Sequence, residues 1–364
     1  MTVRRDAPVW LVGAAGLAIT AAFALRLLLP HGMDPSVFLA LGKDSVQTSY
    51  ARGLLGDVWT RPGLGHDGRF FFIQANDPWL VEPDSNAALL DRPVYRSQRM
   101  LFPMIAGGFG LFPPSAIAWS MLITNVVAMM VGAIFAAKLA QAWDIPIWLG
   151  LLVPLNVGLL FEFEIGGAGI LAYTCCLGAL YALVTERTWL ASMMFTAAVL
   201  SREVMVAFAV GVFVLWWLDR RTLPWRIVLL PIAAMAVWLA YLLYRLRGVT
   251  GVGDARGAFT IPLMGFLEAF GWWTRSPWHL FVNLSLLFVV ILFVPLALRS
   301  RLPIAWGAVP FVGIATLLSA DVWGQTFDLS RALVPVFTAA PFLLVFSEHQ
   351  RSRASAGRPG MERS

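Results

Sequence analysis

Apolar residues gather in long runs along this chain, at about residues 9–29, 115–139, 147–161, 169–184, 189–200, 204–218, 227–244, 280–298, 304–318 and 333–346. Each run is a candidate membrane helix, so the expected fold class is all-α: a polytopic transmembrane bundle of about 10 spans. Several runs hold only about 12–16 residues, fewer than the roughly 20 needed to cross the hydrocarbon straight. Their ends are therefore expected to stop below the membrane surface. Charged, irregular backbone at that depth is tolerated only where protein or a water-filled cavity covers it.

Between the first two runs lies a long polar segment, about 30–115, with the stretch "MLFPMIAGGFGLFPP" at its end. Proline and glycine interrupt that stretch, and charge decides its place. If it lies along the interface without crossing, the short cytoplasmic segments hold Arg4, Arg5, Lys138, Arg187, Arg220, Arg221, Arg226, Arg299 and Arg301, and the tail holds Arg351, Arg353, Arg358 and Arg363. That arrangement satisfies the positive-inside rule with both termini inside. Residues 1–348 then form one transmembrane domain with a long extracytoplasmic first loop carrying interfacial helices. Residues 349–364 form a basic cytoplasmic tail, expected to be disordered.

Composition narrows the class. Of 364 residues, 59% are hydrophobic and 13% charged, against roughly 45–50% and 25% in soluble domains. The net charge of +6 sits mostly beside apolar segments, where it orients helices and meets lipid headgroups, so no nucleic-acid partner is expected. The adjacent Cys175 and Cys176 lie in an apolar run and read as packing residues. The basic N-terminal start precedes an apolar run of about 20 residues without a convincing cleavage site, and reads as an uncleaved first span.

This topology brings the chemistry-bearing residues to one face. Asp67, in "GHDGRFFFIQANDPW", has two readings. It caps a helix through "GRFFFIQA", or it is a general base in a partly dry pocket, with Phe70, Phe71 and Phe72 pinning its loop to the interface. Asp77, before Pro78, reads as a cap with proline at the first helical position. Arg96 and Arg99 are three apart, on one helix face with Tyr95 and Gln98 nearby, and arginine forks match phosphate oxygens. Glu162 and Glu164, two apart, cannot share a helix face, so one of them is expected in the cavity. Arg202 and Glu203 join two short runs and read as an ion pair or as site residues. Arg331 is a phosphate ligand or a partner of Asp328. His66, beside Asp67, is the histidine of interest, and no histidine spacing suggests zinc. No P-loop, GxGxxG or nucleophile elbow occurs.

The stretches "GHDGRFFFIQANDPW", "LDRPVYRSQRMLFPMIAG", "FEFEIGGAGILAY", "LSREVMVAFAV" and "DLSRALVPVF" together resemble the GT-C superfamily of membrane glycosyltransferases. The nearer likeness is to a bacterial branch with a Tyr-Asp-Gly-Gln-Phe-Tyr type motif followed by Tyr-Arg-x-Gln-Arg. The resemblance covers about 34–335. His66 and Arg69 stand where that motif has Tyr and Gln, which alters the expected acceptor contacts. It implies a cell-membrane enzyme that moves a sugar from a polyprenyl-phosphate donor to a hydroxyl of a glycan, lipid or protein acceptor outside the bacterial cytoplasmic membrane. Asp67 would be the base. The substrate-binding set would be His66, Arg69, Tyr95, Arg96, Gln98, Arg99, Glu162, Glu164, Arg202, Glu203 and Arg331. No metal site is assigned; a divalent ion held by Asp67, Glu162 and Glu164 stays open, as no spacing fixes its geometry. The rival readings are a transporter or flippase of a lipid-linked anion, which should show internal repeats, and an assembly subunit that binds an envelope partner.

Overall fold

The computed structural model describes residues 8–219, 225–249 and 259–356. The basic positions Arg4, Arg5, Arg220, Arg221, Arg358 and Arg363, and the side chain of Arg353, lie outside that description. The described residues are helical, and their only β-pairing is three isolated bridges. In chain order come α1 (Val9–Leu28), α2 (Val46–Leu55), α3 (Gly68–Asn76), α4 (Pro83–Ala88), α5 (Pro93–Ser97), α6 (Leu101–Ala106) and α7 (Pro114–Ala142). Next are α8 (Val157–Glu164), α9 (Gly169–Val184), α10 (Thr188–Ser201), α11 (Val206–Leu218) and α12 (Arg226–Arg245). The last are α13 (Met264–Trp273), α14 (Pro277–Arg299), α15 (Pro303–Leu317), α16 (Ala320–Gly324), α17 (Thr326–Ala332) and α18 (Val334–Ala356).

Among the described residues, four helical stretches are long and apolar enough to cross a membrane: Val9–His31, Pro114–Ala142, Arg226–Arg245 and Pro277–Arg299. A fifth results if α17 and α18, bent by 67°, count as one broken span. The other expected spans are shorter: α9, α10, α11 and α15 match their apolar runs but fall below the length of a straight crossing. The run 147–161, expected as one span, is broken. It begins as a 3-10 turn over Ile147–Leu152, passes Pro154, which offers no amide hydrogen, and restarts as α8. Helix α6 has six residues, about 9 Å at 1.5 Å per residue, so 100–114 holds no helix long enough to cross. The tail, expected without structure from 349, continues α18 as helix to Ala356.

Helix α9 is the packing centre. It lies against α7 and α10, which extend the bundle to α1 and α12, while α11 joins through α15 to α18. On α9, Tyr173, Cys176, Leu177, Ala179 and Leu180 are fully buried. Asn156 caps α8 by accepting hydrogen bonds from the amides of Gly158 and Leu159, and its Nδ2 donates to Thr338 on α18 at 3.0 Å. One side chain thus starts the helix and attaches it to the bundle.

The 30–113 segment folds over one end of this bundle. Phe70, Phe71 and Phe72, expected at the membrane interface, are buried within it. Phe71 meets Phe102 edge-on at 5.4 Å, and Phe72 meets Tyr50 at 6.4 Å. Asp77 is structural but caps no helix start: it follows α3, and its two oxygens accept from the amides of Val81 and Glu82.

Candidate active site

Two glycines make the site possible. Gly68 begins α3 with its amide bonded to the Ile165 carbonyl at 2.9 Å, and a Cβ there would lie 2.5 and 2.6 Å from the carbonyl oxygens of Ile165 and Phe38. Only glycine lets α3 start so close to the chain leaving α8. At Gly167 a Cβ would fall 1.8 Å from the Glu162 carboxylate. The "GG" after "FEFE" therefore clears room for one buried acid.

Asp67 starts α3 without capping it, since its carboxylate makes no hydrogen bond to the first-turn amides. It points instead into an ion-pair network. Oδ1 accepts from Arg96 Nη1 at 2.9 Å, and Oδ2 accepts from Arg331 Nη2 at 2.6 Å. Arg96 also grips Asp91 with two bonds of 2.8 Å and stacks 4.1 Å over Phe70. Arg331 engages three carboxylates, with Nε on Glu162 at 2.9 Å and Nη1 on Asp328 at 3.0 Å beside its bond to Asp67. Glu162 receives Arg202 as well, at 2.6 Å.

Glu162 and Glu164 separate as their spacing requires. The Glu162 side chain is 1% exposed and lies in the network, while Glu164 is 38% exposed and, among the described residues, its ion-pair partner is Arg61, at 3.7 Å. Arg202 and Glu203 do not pair with each other. Arg202 reaches Glu162, whereas Glu203 takes a bidentate grip from Arg99 at 3.0 and 3.0 Å. Arg99 also donates to the Tyr95 hydroxyl at 2.7 Å. His66 accepts the Asp67 amide hydrogen on Nδ1 at 3.0 Å, which leaves Nε2 as the protonated nitrogen, 3.7 Å from Asp328. Its ring meets Phe161 edge-on.

The charges in the 30–113 segment respond to these neighbours. Burial by itself would raise the Asp67 carboxyl, but Arg331, Arg96, His66 and Arg99 hold it well below the usual carboxylate range. Burial lowers the His66 pKa; Asp67 raises it and Arg331 lowers it, and the net effect favours the neutral ring. Burial disfavours the Arg99 cation, yet Glu203 and Tyr95 more than offset this.

A cavity of about 210 Å³ opens beside the network. Its lining combines charged and polar side chains, among them Asp67, Tyr95, Arg99, Arg202, Glu203 and Arg331, with apolar ones such as Met205, Phe311, Ile314 and Leu318; Asp328 also lines it. Arg96 and Glu162 do not line the cavity but hold lining residues, through their bonds to Asp67 and Arg331. Gln98 and Arg69 do not line the cavity; Arg69 lies 4.5 Å over Phe70, with its Nε buried and unbonded. Among the described residues, no group of three His, Cys, Asp or Glu side chains is placed to hold a metal ion. The expected set missed Asp91, although its place five residues before Arg96 was a usable signal. The apolar wall was also missed, because nothing local distinguishes it from ordinary lipid-facing helix. Comparison with protein-family models, curated proteins and solved structures finds no match, so the functional reading depends on the side chains themselves.

Proposed function

We propose that this chain is a membrane glycosyltransferase of the GT-C type, which moves a sugar from a polyprenyl-phosphate donor to an acceptor hydroxyl at the outer face of the bacterial cytoplasmic membrane. The observation that carries the reading is the mixed lining of the cavity, where Arg99, Arg202 and Arg331 stand with the carboxylates Asp67, Glu203 and Asp328 and with apolar side chains. An amphiphile with an anionic head and an isoprenoid tail matches both kinds of lining. The finer topology of about ten spans, with the short helices α9, α10, α11 and α15 shaping a thinned region around the cavity, belongs to the same proposal.

In this reading Arg331, Arg99 and Arg202 bind the donor phosphate, and planar forks suit its oxygens. Asp67 takes the proton of the acceptor hydroxyl. The hydroxyl oxygen forms the new bond to the anomeric carbon as the bond from that carbon to the phosphate oxygen breaks, and the electron pair leaves with the phosphate. The arginines stabilise that developing charge in a site with little water. Positioning of donor and acceptor supplies the remainder of the rate.

Deletion of the gene followed by mass spectrometry of envelope glycans and lipid-linked sugars tests the proposal. The expected result is a glycan lacking one sugar, with its lipid-linked donor accumulating. Unchanged glycans would overturn it. An accumulating lipid-linked anion confined to the inner leaflet would favour the transporter reading.

A further inference from the structure

The cavity arginines Arg99, Arg202 and Arg331 differ in how their nitrogens are already engaged. Arg99 gives the edge formed by Nε and Nη2 to Glu203, with Nη2 also on the Tyr95 hydroxyl. Arg331 spreads its nitrogens over three carboxylates, with Nε on Glu162, Nη1 on Asp328 and Nη2 on Asp67. Arg202 makes a single bond among the described residues, from Nη1 to Glu162 at 2.6 Å. Its Nε and Nη2 are unpartnered there, and neither is sealed from solvent, although the side chain is only 15% exposed.

That difference decides which guanidinium can take an oxyanion two-handed. A phosphodiester presents two non-bridging oxygens on one phosphorus, and the parallel N–H groups of Nε and Nη2 match them. Of the three lining arginines, Arg202 alone presents that edge unoccupied. Buried Glu162 fixes the other side of its guanidinium and is itself held by Arg331. Arg202 stands at the break between α10 and α11, in extended backbone with φ −156° and ψ 112°. Val204 and Met205, next along the chain, line the same cavity. An anion on Arg202 therefore has apolar side chains close by, as an isoprenoid phosphate requires.

On the basis of the transferase reading, we infer that Arg202 determines specificity at the donor site: its Nε and Nη2 take both non-bridging oxygens of the donor phosphodiester. Arg99 and Arg331 add their remaining N–H groups and positive charge around it. Glu162 is the positioning residue for the Arg202 fork. No carboxylate has to release its arginine for the donor to bind. Bulk phospholipids carry the same phosphodiester chemistry and outnumber any carrier-linked sugar, so the donor has to be selected against them.

The test is calorimetric binding to the full-length protein in detergent micelles, with two probes that differ by one charge. Farnesyl methyl phosphate is a diester with two non-bridging oxygens, and farnesyl dimethyl phosphate is the neutral triester. The wild type is expected to prefer the diester by roughly 100-fold, since one charge-assisted hydrogen bond corresponds to about 10–150-fold in affinity. Arg202→Lys keeps the charge, but an ammonium that stays on Glu162 offers no two-nitrogen edge. It should lower diester affinity about 100-fold and leave triester affinity within about twofold, whereas Arg99→Lys should lower diester affinity only about tenfold. Arg202→Gln, which retains a donor for Glu162, serves if the lysine variant does not fold. Equal diester losses in the Arg202 and Arg99 variants overturn the assignment. A parallel loss of triester affinity also overturns it, because it marks a structural role. Phosphatidylglycerol in the same micelles should compete roughly tenfold more weakly than the diester; equal competition gives the fork to bulk lipid and overturns its donor role. A wild type that does not distinguish diester from triester removes the phosphate contact altogether. The glycans of the deletion strain decide the transferase reading without these probes, so the two can fail independently.

Discussion

Helix α9 and the network around Asp67 are both withdrawn from water, yet they are stabilised differently. On α9, Tyr173, Leu177 and Leu180 pack among apolar neighbours, and Thr174 satisfies its hydroxyl with an uncharged bond to the Ala128 carbonyl at 2.8 Å. Stabilisation there scales with area buried and with the absence of voids. Around Asp67 the buried groups are ions, and each is tolerated because a partner lies within hydrogen-bonding distance. A buried pair of this kind adds little stability over well-packed apolar residues, but removal of one member leaves an uncompensated charge. Well-packed apolar residues would hold the fold about as well, so stability alone does not account for the network; in the transferase reading proposed above it serves the chemistry.

Asp67→Asn gives the largest expected effect. If Asp67 is the base, transfer to the acceptor falls by about 10²–10⁴ at saturating donor. Arg96 keeps Asp91, and Arg331 keeps Glu162 and Asp328, so the variant should still fold. Near-normal turnover would move the proton acceptor to Glu203, the other glutamate or aspartate on the wall besides Asp328.

Glu162→Ala tests the contrast directly. It strips Arg202 and Arg331 of a shared partner and should destabilise by about 3–5 kcal/mol, similar to the roughly 2–5 kcal/mol expected for Leu177→Ala in α9. The two should part in double mutants. Adding Arg202→Ala should recover part of the Glu162→Ala loss, because it removes an orphaned charge, whereas Leu177→Ala has no such rescue. Denaturation curves showing strictly additive losses for Glu162 and Arg202 would break the comparison.

Arg331→Lys and Arg99→Lys keep the charge but lose the fork. A charge-assisted hydrogen bond is worth about 1.5–3 kcal/mol, so the donor KM should rise roughly 10–100-fold while turnover at saturation changes less. Unchanged donor dependence in both variants would remove the phosphate clamp.

A smaller effect follows from pH. The folded Asp67 pKa lies below its ordinary value, so the ion pairs contribute fully above that ordinary value and are lost as pH falls through the folded one. The stability difference between wild type and Asp67→Asn should be constant above about pH 5 and shrink below the ordinary Asp value near 3.9. A difference that grows on acidification would contradict the sign. The smallest effect is expected at Glu164→Gln, within about 0.5 kcal/mol of wild type, because that side chain is partly exposed with one distant partner.

The positions of the helices were legible in the sequence, because transfer of apolar side chains out of water is a property of local runs. The run at 169–184 became α9, and the run at 9–29 became α1 with little change of boundary. The gathering of Asp67, Arg99, Glu162, Arg202 and Arg331 at one place was also expected, from an alternation of about ten spans, of which four or five are long and apolar enough to cross among the described residues. Tertiary structure decided the partners. Asp67 and Arg331 stand 264 residues apart, and no local pattern shows that one guanidinium will serve three carboxylates. The crossing of Arg202 to Glu162 and of Arg99 to Glu203, the choice of Glu162 over Glu164, and the turning of the three phenylalanines inward each depend on which backbone approaches which. Gly68 and Gly167 set that approach by what they lack, and the clash an added Cβ would meet exists only once distant segments are packed together.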